Sequence, residues 1–186
     1  MAMPMVAPRY TIADLERLAD DGNRYELLGG VLLVTPAPGP PHQVALGRLT
    51  MAVSAYLGSG GPAVVTNPGV IQVDDDTQLE PDLLVIPARF ADSGSWRQMT
   101  DWWLAVEVSG RASRIYDRDF KTDAYLRLGV REVWRVDLRD RVLYVSRPGG
   151  SADVPHAGRV VWHPPEIAEP LDLDIQTVFG PVTPSR

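Results

Sequence analysis

Glu80-Pro81-Asp82-Leu83-Leu84-Val85-Ile86 is followed by Leu104-Ala105-Val106-Glu107-Val108, and that by Tyr116-Asp117-Arg118-Asp119-Phe120-Lys121. The first two runs are apolar along nearly their whole length, so Leu79–Ile86 and Trp102–Val108 read as central strands covered on both faces. Each carries a carboxylate, Asp82 in one and Glu107 in the other. A buried acid costs free energy unless a cation or hydrogen-bond donors meet it. Two of them on neighbouring strands are most simply explained as oxygen ligands for a divalent metal. Blander readings exist for some of these residues. Asp82 could cap a strand turn, and Asp117 and Lys121 have the i,i+4 spacing of an ordinary helical ion pair. Glu107, set between Val106 and Val108, resists any such reading.

Outward from these strands, residues 111–131 read as a helix with Phe120, Ala124 and Leu128 facing inward and Gly129 ending it. Lys121 and Tyr125 flank that stripe, which lays the lysine against the sheet with its tip free. Of 18 Lys and Arg residues, 17 are Arg, and the one lysine is Lys121. Lysine is a mobile point charge where arginine is a rigid fork, so the exception falls where the difference counts.

Upstream, Thr11–Leu18 reads as a short helix with Thr11 as its cap and Asp14 in a capping-box position. Arg24–Leu28 and Val31–Val34 flank Gly29-Gly30, a two-residue hairpin signal. Glu26 in that hairpin reads from the residues alone as an outward-facing acid on a half-exposed strand. Leu46, Leu49, Val53 and Leu57 recur at helical spacing over 42–57, and His42 stands in the first turn. Ala63–Thr66 and Val70–Val73 are strand pieces, and Asp74-Asp75-Asp76-Thr77 reads as a solvated turn. Downstream, Val133–Val136 and Val142–Val145 form a second hairpin, Val160–Trp162 an edge strand, and Asp172–Phe179 a last strand or helix. His156 and His163 have no third ligand at a sensible spacing.

The length of 186 residues fits one domain, with a core over about 11–180 and terminal arms at 1–10 and 181–186. No apolar run is long enough to span a membrane, and the N-terminus lacks the pattern of a signal peptide, so a cytoplasmic protein is expected. The absence of cysteine excludes disulfides and thiolate metal sites. A net charge of −6 argues against a protein that coats nucleic acid, though not against an enzyme with a local basic patch and a metal.

The chain resembles the PD-(D/E)XK nuclease superfamily, and more closely the bacterial Uma-two family of restriction-type endonucleases. The likeness is carried by Arg24-Tyr25-Glu26-Leu27, Pro41-His42-Gln43, Glu80-Pro81-Asp82-Leu83-Leu84, Val106-Glu107-Val108, Asp117-Arg118 with Lys121, and Gly129-Val130-Arg131-Glu132-Val133-Trp134. It departs from the superfamily at Ser109, where a lysine usually stands two residues after the glutamate; in the resembled family that lysine lies on the following helix, as Lys121 does. Ser109-Gly110-Arg111 also replaces the family's Leu-Ser-Pro turn.

The resemblance implies an α+β, restriction-endonuclease-like core: a mixed central sheet flanked by helices, with an N-terminal helix and β-hairpin. It implies a DNA-cleaving endonuclease in which Asp82 and Glu107 bind Mg²⁺ (Mn²⁺ as a substitute), with Lys121 beside them. Glu26 enters as an additional catalytic and metal-binding acid, and His42 as a group supporting a ligand from behind. Arg111, Arg114 and Arg118 precede the lysine and suit backbone phosphates. A homodimer would supply two sites for two strands. The alternative is a catalytically silent copy of the fold that binds nucleic acid or protein.

Overall fold

The computed structural model describes residues 8–109, 120–151 and 153–180. In chain order these form α1 (Ile12–Leu15), β1 (Asn23–Leu28), β2 (Val31–Pro36), α2 (Pro40–Leu57), β3 (Ala63–Thr66), β4 (Ile71–Gln72), β5 (Gln78–Leu79), β6 (Leu83–Pro87) and β7 (Leu104–Ser109). There follow α3 (Thr122–Leu128), β8 (Val133–Asp137), β9 (Val142–Ser146), β10 (Val154–His156), β11 (Arg159–Trp162), β12 (Leu171–Asp174) and α4 (Gln176–Phe179). Two 3₁₀ turns, Ala88–Phe90 and Trp96–Gln98, fill the stretch between β6 and β7.

The central sheet has six strands in the order β10-β9-β8-β7-β6-β3, mixed because β7 and β8 run parallel while the other pairs are antiparallel. Every residue of β6 and β7 is buried. Their alternation divides the core in two. Leu83, Val85, Val106 and Val108 face α2, whose Leu46, Leu49, Val53 and Leu57 lie on one stripe. Leu84, Ile86 and Ala105 face the other way, onto Ala124 and Tyr125 of α3. Asp82 and Glu107 share the parity of this second face.

A four-stranded sheet, β2-β1-β5-β4, carries the hairpin, and Gly29 and Gly30 both take the positive φ that its turn requires. The expected strand Leu79–Ile86 is in fact two. Leu79 pairs in the smaller sheet and Leu83–Pro87 in the larger. Pro81 has no N–H to give a ladder, and the chain changes sheets across Glu80-Pro81-Asp82. Asp82 therefore sits at the junction.

Two smaller readings also change. Of the expected arm 1–10, Arg9 and Tyr10 are tied to the hairpin through Gly29 and Gly30, while residues 1–7 lie outside the described residues, as does the arm 181–186. Of the expected inward stripe Phe120, Ala124 and Leu128, Ala124 is buried and Leu128 packs half-buried against the core, but Phe120 does not face inward. Phe120 is exposed, and Lys121, Thr122, Ala124 and Tyr125 are buried. A π-type turn at 120–121 precedes α3 and sets that phase. Residues 110–119 lie outside the described residues, and with them the start of the helix expected over 111–131.

Candidate active site

Seven charged or polar side chains converge where the two sheets meet. Asp82 stands one residue before β6, and the β6–β7 register, Leu83 opposite Val106, continues to place it opposite Glu107. Directly opposed residues on one face lie about 5 Å apart at Cβ. The two central acids are thus neighbours, as their strands predict.

Asp82 is buried and fully engaged. Arg24 Nη1 donates to Oδ1 at 2.9 Å, the Val108 N–H donates to Oδ2 at 2.8 Å, and His42 Nε2 lies 2.9 Å from Oδ2. Burial alone would raise its pKa, but His42, Arg24 and the Val108 amide together hold it below the ordinary aspartate value. Arg24, three-quarters covered, also donates to the Glu80 carbonyl at 3.1 Å. Burial works against its charge, yet Asp82 and then Glu107 raise its pKa on balance.

Glu107 is 4 % exposed. Its Oε1 accepts from the Tyr125 hydroxyl at 2.5 Å and lies 3.2 Å from Lys121 Nζ. Tyr125, buried on α3, has its pKa pushed well up, first by burial and then by the charges of Glu107 and Glu26.

Glu26 is the largest departure from the reading of the residues alone. It is 0 % exposed, not outward-facing. The Glu26 side of β1 is covered by the Glu80 backbone and by Lys121 ahead of α3. Oε1 accepts the Glu80 N–H at 2.7 Å, and Oε2 lies 2.6 Å from Lys121 Nζ. Lys121 is consequently bracketed by two carboxylates, and its tip is engaged where the sequence suggested a free one. A cavity of about 220 Å³ reaches it, lined by Leu32, Leu33, Val34 and Thr35 of β2. Just outside this group, Glu80 has its pKa raised by burial and by Glu26, opposite in direction to Asp82 two residues on.

Asp82, Glu107, Lys121, Glu26 and His42 are brought together. Arg111, Arg114 and Arg118 lie outside the described residues. Sequence reasoning gave no role to Arg24 or Tyr125. Arg24 shares the face of Glu26 two residues on, and Tyr125 is one helical turn beyond Lys121, so each was marked by spacing from a residue already chosen.

A family model described as "Uma2: Putative restriction endonuclease" matches residues 12–176. Among solved structures, one titled as a putative nuclease belonging to DUF820, from Anabaena variabilis ATCC 29413, is similar at a TM-score of 0.65 and 14% identity. The match covers 91% of this chain and 97% of that one. None of the curated proteins matches. At that identity the structural likeness speaks for the fold.

Proposed function

This chain belongs to the Uma2 family of restriction-endonuclease-like proteins, and we propose that it is a metal-dependent endonuclease hydrolysing DNA phosphodiester bonds. The observation that carries the reading is Lys121 held between Glu26 and Glu107, with Asp82 opposite Glu107.

The donor set suits a magnesium ion. Glu26, Asp82 and Glu107 are three buried carboxylates facing two permanent cations, Arg24 and Lys121, which leaves negative charge for a further cation to balance. Mg²⁺ keeps most of its waters and takes one or two carboxylates. Asp82 and Glu107 would be those ligands. Glu26 would stand beside them as the additional metal-binding acid, its Oε1 accepting the Glu80 N–H and its Oε2 placed beside Lys121.

When bound, Mg²⁺ supplies Lewis-acid polarisation of a phosphoryl oxygen. The chain's own residues do the rest. Arg24, His42 and the Val108 amide fix the Asp82 carboxylate in its ionised form. Tyr125 orients Glu107 by donating to Oε1. The Lys121 ammonium donates toward the phosphate, where charge grows as the attacking water adds and the leaving oxygen departs. Arg111, Arg114 and Arg118 would add salt-dependent contacts to backbone phosphates without reading sequence.

One observation favours the second reading, a silent fold that binds nucleic acid or protein. Each acid already has a cationic protein partner without a metal. A plasmid cleavage assay with and without Mg²⁺ or Mn²⁺ separates the two. Cleavage only with the ions supports the nuclease, and an intact plasmid under both conditions supports the binding module.

A further inference from the structure

β3 is the last strand of the six-stranded sheet and pairs only with β6 among the described residues. The Ala88 N–H donates to the Pro62 carbonyl at 2.7 Å, and Pro62 lies opposite Ala88 in the register that pairs Ala63 with Pro87. Hydrogen-bonded pairs alternate along an antiparallel ladder, so Val64 and Thr66 turn their backbone groups to β6. Ala63 and Val65 turn theirs to the open edge, where they meet no backbone partner among the described residues.

Exposed edges in folded proteins are normally guarded by charge, proline or a bulge. β3 is short and Pro62 stands directly before it, but the strand itself carries no charge, proline or bulge. Residues 49–73 contain no Asp, Glu, Lys, Arg or His. The edge is also flanked by a hollow on each face of the sheet. One, of about 440 Å³, is lined by Leu57, Val65 and the side-chain-poor loop Gly58–Gly61. The other, of about 390 Å³, is lined by Val64, Thr66, Ile86 and Trp96. An added strand sends alternate side chains to opposite faces, so both hollows would be filled by one strand.

We propose that β3 is the subunit interface of a homodimer, pairing antiparallel with β3 of a second copy about a twofold axis at Val64. The edge is self-complementary in this register. Ala63 faces Val65 of the second copy and Val65 faces its Ala63, which closes two reciprocal hydrogen-bonded pairs. The uncharged tract is also what two copies of a chain of net charge −6 need in order to approach without repulsion. The interface names the surface of the dimer and stands whether or not the chain cleaves DNA.

Sedimentation velocity at tens of micromolar should give a dimer for the wild type. Val65→Pro should give a monomer with an unchanged circular dichroism spectrum, because it removes an outward N–H and leaves the ladder to β6 intact. A second measurement uses the absence of cysteine. Val64→Cys puts a single thiol at the axis and should oxidise to a disulfide-linked dimer at least tenfold faster than Met51→Cys, on the exposed side of α2. A monomeric wild type, which would leave the edge to another protein's strand, overturns the proposal. So does a Val65→Pro dimer, or cross-linking at 51 as fast as at 64.

Discussion

Lys121, at the head of α3, meets Glu26, in the hairpin strand β1, at 2.6 Å with both side chains closed off from solvent. The contact ties the smaller sheet to the helix that follows the central strands. It sets the position of the chain's one ammonium side chain relative to Glu107.

Breaking that contact should be costly. Removing one partner of a buried pair strands the other charge, typically at about 3–5 kcal/mol. Glu26→Ala is expected to lose stability in that range in urea unfolding followed by tryptophan fluorescence. Glu26→Gln should lose less, since the amide oxygen still accepts the Glu80 N–H. A loss for Glu26→Ala below about 1 kcal/mol, the scale of an exposed ion pair, would mean that the pair is open to water in solution.

Lys121→Ala separates charge stabilisation from metal binding. In the proposed reading the variant keeps Asp82 and Glu107 and binds Mn²⁺ with nearly unchanged heat, while plasmid nicking falls by about 10²–10³, the usual effect of deleting one preorganised charge donor. Undiminished nicking would remove the lysine from the chemistry.

Asp82→Ala tests the metal directly. Titration calorimetry with Mg²⁺ or Mn²⁺ should show binding by the wild type and none by the variant; equal, negligible heats in both would favour the silent module. The acid limb of stability carries a second signature. Because the folded pKa of Asp82 is depressed, its contribution is present above the ordinary aspartate pKa of about 3.9 and drains as pH falls through the folded value. Asp82→Asn should therefore flatten that limb.

The central strands were legible because they are apolar on both faces, a pattern that solvent-facing strands do not show. Asp82 and Glu107 stood out against that background, and Lys121 by being the only lysine. Glu26 was hidden for the opposite reason. Its strand alternates, and alternation alone does not say which face is covered by another part of the chain. The phase of α3 was hidden as well, since a π-type turn ahead of a helix shifts its inward face without changing its composition. The change of sheet at Pro81 was written in the sequence, but the apolar residues on either side outweighed it.

Gly69 gives a test remote from any charge. A Cβ there would meet Leu84 Cβ, which lies on the same face as Asp82 and two residues along. The Gly69 N–H also donates to the Pro81 carbonyl at 3.0 Å, so the close approach fixes the turn that aims Asp82. Gly69→Ala should cost about 1–3 kcal/mol, as overpacking does, and lower cleavage although it touches no site residue. Wild-type stability and cleavage in the variant would show that the turn is held by something else.

Tyr125→Phe closes the series with a pH-dependent sign. The hydroxyl donates to Glu107 at 2.5 Å, and its loss should cost about 1.5–3 kcal/mol near neutrality, the range for a hydrogen bond to a charged group. Burial, reinforced by Glu107 and Glu26, lifts the folded pKa of Tyr125 well above the unfolded value of about 10. The tyrosine's contribution is therefore full below about pH 10 and is lost as pH rises toward the folded pKa, because only the unfolded chain gives up the proton in that window. Phenylalanine has no such proton. The stability gap between wild type and variant should narrow through the alkaline range in urea titrations at stepped pH. A constant gap would show that the hydroxyl ionises as readily in the fold as outside it, and that Glu107 is not held by this bond.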